Sequence, residues 1–216
     1  MIDALLFDLD GTLLDTAGDL SNAANKVLTA RGYPLLTAAQ IQAFTSYGAR
    51  GLFKAGFGAD LQQFDPRQLR KEFLHHYASH INDTTCFYPH IENVLTHLNQ
   101  HKVPWGIMTN KPAFLTDMLL PDYPLLATAK IIVSGDTLEK AKPHPEPLLY
   151  CADAMQVDAS RVAYIGDIEN DMVAARDARM KGVIAGWGYI GADHQPQSWP
   201  HWRYLKQPDE LLSLLD

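Results

Sequence analysis

Residues 4–12 read ALLFDLDGT, a short apolar run that stops at two acidic residues and a glycine. An apolar run of this length, ended by Asp and Gly, is typical of a buried strand that opens into a loop. The same pattern recurs further along the chain, at residues 103–108, 130–133, 162–165 and 181–185. The sequence therefore predicts five strands whose ends carry polar or glycine-rich loops.

Helical patterns separate these strands, for example over residues 91–100 and 145–155. Strands that alternate with helices predict an α/β fold in which a parallel sheet carries helices on both faces. Ligands bind at the carboxyl ends of the strands in such sheets, so we expect the polar strand ends to form one site. The final segment, residues 199–216, is predicted to be a loop followed by a helix.

The region from residue 16 to residue 81 breaks the pattern, because it contains no strand-like run. Two sets of residues within it have the spacing of one helical face: Leu20, Ala24, Val27 and Leu28, and then Leu69, Phe73, His76 and Tyr77. We therefore predict a helical insert at 16–81 and a core made of residues 1–15 and 82–216.

Composition narrows the range of partners. The net charge of −7 argues against nucleic acid and against an anionic membrane, but not against a small anionic substrate held by a metal ion and a few cations. Cys86 and Cys151 lack metal-ligand spacing, which predicts no disulfide framework and a cytoplasmic protein. No signal peptide or membrane span is expected, and the protein is expected to be a monomer or a homodimer.

Asp8 and Asp10 are the first candidates for chemistry, because both follow the first strand in a tight loop. Phosphate-ester hydrolysis needs a nucleophile and a proton donor for the leaving oxygen. Asp8 could attack phosphorus, and Asp10 could protonate the leaving group and later activate water. An isolated Asp-x-Asp also fits a polar turn in which Gly11 supplies an unusual backbone angle.

Three later segments add polar residues in a consistent order. Thr109 could hold phosphate oxygens, although Thr and Asn are common in turns. Lys142 could neutralise Asp8 and the phosphate, or could be a solvated lysine in a proline-rich loop. Asp167 could join Asp8 in an oxygen-rich magnesium site, with Asp171 on the same helical face, or could simply be a helix N-cap. Four matches in this order favour catalytic function over four unrelated turns.

Together these residues resemble the four motifs of the haloacid dehalogenase superfamily, on the phosphoglycolate phosphatase side, and they span nearly the whole chain. The resemblance implies a Rossmann-like core with a helical cap inserted after the first motif. It implies that Asp8 is the nucleophile and a Mg²⁺ ligand and that Asp10 is the acid/base, with its backbone carbonyl on Mg²⁺. Asp167 would be a further metal ligand.

The same resemblance assigns phosphate binding to Thr109 and Lys142, and the positioning of Lys142 or of a metal-bound water to Asp171. We also assign Thr12 and Asn110 to substrate binding. Two residues depart from the usual pattern: Ile168 replaces a serine, and Arg179 replaces a glycine at the end of the following helix. Arg179 is expected to be strained if the backbone there stays left-handed.

Peripheral segments bear on the substrate. Residues 135–137 resemble phosphoglycolate phosphatases. Residues 48–50, 105–106 and 188–190 resemble phosphatases of N-acetylmuramic acid 6-phosphate and favour that group, but the core motifs do not separate the two. The candidate substrates are therefore 2-phosphoglycolate and N-acetylmuramic acid 6-phosphate. Arg50, in a glycine-containing segment expected to be a mobile loop, could contact a substrate anion or could be solvated.

Three other functions are alternatives to a phosphatase. A phosphosugar mutase would use the same Asp8 chemistry but would require a bisphosphate. A dehalogenase would need no acid/base at position 10, so Asp10 argues against it. A non-catalytic interaction protein would be expected to lack at least one of the four central residues, and the sequence retains Asp8, Asp10, Lys142 and Asp167.

Overall fold

A computed structural model describes residues 1–215 of the chain. Within this range the strands are β1 (Ala4–Phe7), β2 (Leu14–Asp15), β3 (Cys86–Phe87), β4 (Trp105–Met108), β5 (Ile131–Val133), β6 (Val162–Gly166), β7 (Lys181–Ala185) and β8 (Arg203–Leu205). The α-helices are α1 (Ala17–Thr29), α2 (Ala38–Phe44), α3 (Gly48–Phe57), α4 (Pro66–Ala78), α5 (Ile91–Gln100), α6 (Ala113–Leu119), α7 (Glu146–Met155) and α8 (Glu169–Asp177). The five predicted strands are all present.

Six strands form one sheet in the order β5-β4-β1-β6-β7-β8, and every pair in it is parallel. Strand β1 lies inside this sheet and is buried on both faces, because its side chains alternate between two hydrophobic clusters. Leu5 and Phe7 pack with residues of α5, whereas Ala4 and Leu6 pack with residues of α7 and α8. The predicted α/β fold, with helices on both faces, is confirmed.

The chain end differs from the prediction. Strand β8 lies in the segment that was expected to be a loop, and the predicted terminal helix is a 3-10 helix over Pro208–Leu214. Strands β2 and β3, which pair antiparallel, were also not predicted. All three strands have only two or three residues, too few to show a period in the sequence. Residue 216 lies outside the described residues.

Helices α1 to α4 fall within the predicted insert and share a hydrophobic cluster of their own, which includes Leu20, Leu52 and Phe73. Local capping fixes two of these helices. Thr37 accepts a hydrogen bond from the N–H of Gln40 at the start of α2, and Asp65 precedes a proline at the start of α4. A helical insertion is therefore present, while the boundaries 1–15, 16–81 and 82–216 remain a prediction.

The two chain crossings between the insert and the sheet lie side by side. Strands β2 and β3 pair at this point, and the buried carboxylate of Asp19 on α1 accepts hydrogen bonds from the backbone N–H and the hydroxyl of both Thr84 and Thr85. The insert is thus tied at its base, next to the carboxyl end of β1.

Two absences are relevant to the sequence predictions. Cys86 is exposed, Cys151 is buried, and no disulfide joins them. Among residues 1–215, no helix combines the length and apolar composition that crossing a bilayer requires.

Candidate active site

Asp8 directly follows β1, and its N–H donates to the carbonyl of Ile165, which extends the pairing with β6 (2.8 Å). Its carboxylate accepts from the N–H of Leu9 at Oδ1 (2.7 Å) and from Lys142 Nζ at Oδ2 (3.0 Å). The side chain keeps 12% of its surface exposed. The Asp8 carboxylate is therefore fixed in orientation and remains partly accessible to a ligand.

Burial raises the pKa of Asp8 to about 7. The charge of Lys142 opposes this shift, and the nearby carboxylates of Asp171 and Asp10 add to it. Nearby cations are therefore needed to keep this carboxyl group ionised.

Lys142 is buried, so the alternative of a solvated lysine is wrong. Its Nζ lies 2.7 Å from Asp171 Oδ1, 2.6 Å from Tyr164 Oη and 3.0 Å from Asp8 Oδ2. Burial alone would lower the pKa of the ammonium, but the charges of Asp171 and Asp8 offset it and the pKa is raised. The lysine is therefore held as a cation against Asp8.

Asn110 fixes the backbone of Lys142. Its Nδ2 donates to the Lys142 carbonyl and its Oδ1 accepts from the Lys142 N–H, both at 3.0 Å. The side-chain amide is thus engaged with the lysine loop, and the assignment of Asn110 to the substrate remains a prediction.

Asp171 lies in the first turn of α8 and connects two parts of the site. Oδ1 faces Lys142, while Oδ2 accepts from the N–H groups of Asp167 (3.1 Å) and Ile168 (3.3 Å). The N-cap position of α8 is Ile168, so Asp167 is not the N-cap and precedes the helix. The expectation that both carboxylates share one helical face is wrong. Asp171 contacts Lys142, and its role in positioning Lys142 or a metal-bound water remains a prediction.

Asp167 is fully buried, and its two carboxylate oxygens differ in their surroundings. Oδ2 accepts from Ser46 Oγ (2.6 Å) and from the N–H of Tyr189 (2.8 Å), whereas Oδ1 has no partner among the described residues. Burial raises the pKa of this carboxyl to about 8, and the charges of Asp171 and Asp8 add to the shift. An unpartnered buried oxygen is costly unless a ligand binds it.

The donor set suits a divalent cation. Oxygens of Asp8, Asp167 and Asp171 lie within 4.8 Å of one another. Carboxylate oxygens are ligands that Mg²⁺ prefers. Asp171 is already bonded to Lys142 and to two backbone N–H groups, so Asp8 and Asp167 are the carboxylates available to a metal.

Asp10 faces a different set of groups. Its Oδ1 accepts from Thr16 Oγ1 (2.8 Å), and Lys111 Nζ lies 3.1 Å from Oδ1 and 3.3 Å from Oδ2. Lys111 also donates to Tyr77 Oη on α4 (2.7 Å). The site therefore contains a second buried lysine.

Among the residues of the site that the sequence predictions missed are Lys111, Ser46 and Tyr189. Lys111 stands two residues after Thr109, and a cation that closely follows a polar strand end could have drawn attention to it. Ser46 lies in the segment noted for Arg50. Tyr189 contacts Asp167 through its backbone, which no side-chain pattern could indicate.

The two threonines of the predicted site are both buried. Thr109 continues β4 by donating its N–H to the Val133 carbonyl (2.9 Å), and its hydroxyl accepts from the N–H of Lys111 (3.2 Å). Thr12 Oγ1 has no partner among the described residues. Their contacts with phosphate or substrate remain predictions.

The segment around Arg50 is not a loop, contrary to the expectation. Residues Thr45–Tyr47 form a 3-10 turn, and Arg50 lies in the first turn of α3, where it is exposed. Its proposed contact with a substrate anion remains a prediction. Of the two departures from the motif pattern, Ile168 is buried at the start of α8, and Arg179 has the predicted left-handed backbone (φ 60°).

Residues 5–185 match the haloacid dehalogenase-like hydrolase family. The chain is 40% identical to a phosphoglycolate phosphatase of Xanthomonas campestris pv. campestris (strain 8004), with 96% of this chain and 94% of the relative aligned. It is 33% identical to the N-acetylmuramic acid 6-phosphate phosphatase of Pseudomonas aeruginosa PAO1, with 100% of this chain and 95% of the relative aligned. A crystal structure described as a predicted phosphoglycolate phosphatase from Haemophilus somnus 129PT superposes with a TM-score of 0.86 at 23% identity, covering 100% of this chain and 98% of that one.

Proposed function

The chain belongs to the haloacid dehalogenase-like hydrolase family and is a phosphatase similar to phosphoglycolate phosphatases; from this premise we propose that it requires Mg²⁺ and acts through a phospho-aspartate on Asp8. The surroundings of Asp8 support this most directly. Its carboxylate is partly open and lies 3.0 Å from the Lys142 ammonium, and one of its oxygens lies within 4.8 Å of a carboxylate oxygen of Asp167.

In the first step, an Asp8 carboxylate oxygen attacks phosphorus and the bond from phosphorus to the ester oxygen breaks. The leaving oxygen takes a proton from the Asp10 carboxyl group, which becomes a carboxylate. Lys142 is already oriented by Asp171 and Tyr164, so it stabilises the added negative charge without rearrangement.

In the second step, the Asp10 carboxylate accepts a proton from water, and the water oxygen attacks the phosphorus of the phospho-aspartate. The bond between phosphorus and Asp8 breaks, which releases phosphate and restores both carboxyl groups. A divalent metal held by Asp8 and Asp167 would supply positive charge to the phosphoryl oxygens.

The substrate is proposed to be a small phosphomonoester, with 2-phosphoglycolate and N-acetylmuramic acid 6-phosphate as candidates. The two kinds of relative, at 40% and 33% identity, are named for these two substrates. We propose a cytoplasmic enzyme, in keeping with its two unpaired cysteines.

The test is phosphate release from both candidates and from a generic aryl phosphate, with Mg²⁺, for the parent and for Asp8→Asn. The variant should lose turnover by several orders of magnitude and keep the circular dichroism of the parent, because its amide is a poor nucleophile. Asp117→Asn on the exposed face of α6 is a matched control. A folded Asp8→Asn protein with near-normal turnover would refute the mechanism, and a bisphosphate requirement would indicate a mutase.

A further inference from the structure

Lys111 is a buried cation to which the proposed chemistry gives no role. Its side chain is 2% exposed, and its one charged partner among residues 1–215 is Asp10. Burying a lysine is costly unless charged and polar groups compensate it. We therefore infer that a substrate group also interacts with this second ammonium beside the acid/base.

The two lysines of the site lie on opposite sides of the reaction. Lys142 contacts Asp8, Asp171 and Tyr164, which places it with the nucleophile and the phosphoryl group. Lys111 contacts Asp10, the group that protonates the leaving oxygen. Its ammonium thus faces the part of the substrate that leaves.

Lys111 can still accept another ligand. An ammonium has three N–H donors, and the described contacts of Lys111 Nζ are with one carboxylate and one hydroxyl. The distances to the two Asp10 oxygens, 3.1 Å and 3.3 Å, fit a single shared N–H. With another N–H donated to Tyr77 (2.7 Å), one donor is left for a substrate group.

We propose that Lys111 binds a carboxylate of the leaving group, and that the preferred substrates carry this carboxylate on the carbon bonded to the ester oxygen. Because Lys111 touches Asp10, the two substrate groups that they bind must be adjacent. In 2-phosphoglycolate the ester oxygen and the carboxylate share one carbon atom. In N-acetylmuramic acid 6-phosphate the lactyl carboxylate is attached across the sugar ring from the phosphate. The assignment depends on the proposed phosphatase activity.

Tyr77 limits the size of the leaving group. It lies on α4 of the insert, is fully buried, packs against Phe73 and accepts a hydrogen bond from the Lys111 ammonium. Exclusion of water here strengthens the attraction between an ammonium and a carboxylate. Because Tyr77 of α4 closes this side of Lys111, we expect a small acid to be accepted here more readily than a sugar.

The test compares Lys111→Met and Lys111→Gln with the parent on 2-phosphoglycolate and on 2-hydroxyethyl phosphate, which has an alcohol in place of the carboxylate. For 2-phosphoglycolate, kcat/KM should fall roughly 10- to 100-fold, as for a lost hydrogen bond to a charged group. For 2-hydroxyethyl phosphate the fall should be clearly smaller, because loss of the Lys111–Asp10 contact affects both substrates, whereas loss of the carboxylate contact affects only 2-phosphoglycolate. Product inhibition gives a second readout: the inhibition constant of glycolate should rise, and that of inorganic phosphate should not.

Lys130→Met, which removes an exposed lysine, is the charge control. Equal losses on both substrates would overturn the assignment, because Lys111 would then serve only Asp10. No loss on either substrate would also overturn it. If the parent hydrolyses none of these esters, the proposed function itself fails, which is a different result.

Discussion

Ser46 on the helical insert donates a hydrogen bond to Asp167 at the carboxyl end of β6, with 2.6 Å between Oγ and Oδ2. The same oxygen accepts from the N–H of Tyr189, so both donors hold Oδ2 and leave Oδ1 without a partner among the described residues. Gln42 adds a second contact from the insert, donating to the Gly188 carbonyl (2.8 Å). The position of the insert and the orientation of a carboxylate that we propose to bind the metal are therefore linked.

Ser46→Ala is expected to weaken Mg²⁺ binding about 10-fold, the usual cost of removing a group that orients a metal ligand. The measurement is calorimetric titration of the metal-free protein with Mg²⁺. Ser46→Thr, which keeps the hydroxyl, should bind as the parent does. Ser79→Ala, whose hydroxyl contacts only the backbone of α4, is the control. An unchanged dissociation constant in Ser46→Ala would separate the insert from the metal site.

Metal removal should abolish activity. A chelator is expected to stop phosphate release, and added Mg²⁺ should restore it. Ca²⁺ should restore little, because its larger and looser coordination shell holds the phosphoryl group less well for in-line attack by Asp8. Full activity after removal of the metal, checked by elemental analysis, would contradict a site at Asp8 and Asp167.

The buried carboxyls predict how stability depends on pH. In the unfolded chain, aspartates lose their protons near pH 4, whereas Asp8 and Asp167 hold theirs until about pH 7 and about pH 8 in the folded protein. Between these limits the folded state binds more protons, so the metal-free protein should lose stability as the pH rises.

Mg²⁺ should reverse this effect at the upper end, because it binds the deprotonated carboxylates. We expect Mg²⁺ to raise Tm more at pH 8 than at pH 5 in thermal melts. Asp8→Asn should show a smaller fall in Tm with pH when the metal is absent. A metal-free Tm that rises between pH 5 and pH 8 would show that other groups dominate.

The parts of the fold that the sequence predicts are those with a strong local pattern. Residues Ala4–Phe7 are all apolar and end at an acidic pair, and the strand has these bounds. Asp8 was identified because it directly follows the first strand, and Lys142 because it lies in a proline-rich loop where it could neutralise Asp8 and the phosphate. Strands of two residues, such as β2 and β3, carry no comparable pattern.

Residues whose role depends on tertiary contacts could not be identified in this way. A lysine in a turn reads the same whether it is solvated or buried, so Lys111 did not stand out from its neighbours. Gly51 suggested a mobile loop, yet its position in α3 reflects close packing, since a Cβ there would collide with the Phe44 carbonyl. No short segment of the sequence reveals such contacts between distant parts of the chain.

Arg50→Ala tests whether the insert also recognises the substrate. Arg50 is exposed on α3 and follows Ser46, which reaches Asp167, by four residues, so its guanidinium could meet a substrate that extends beyond the buried site. Loss of a hydrogen bond to an anion should then cost about 1.5–3 kcal/mol in kcat/KM for the true substrate. An aryl phosphate, which has no second anion, should be hydrolysed as before.

The measurement is a pair of specificity constants on parent and variant, with Arg70→Ala on the exposed face of α4 as the control. Equal losses on both substrates would mean that Arg50 supports the insert or the shared phosphate site, and no loss would make it a solvated arginine. A selective loss on N-acetylmuramic acid 6-phosphate would indicate a long substrate held at its far end. A selective loss on 2-phosphoglycolate would place Arg50 and Lys111 on the same carboxylate, because that molecule has no other anion away from its phosphate.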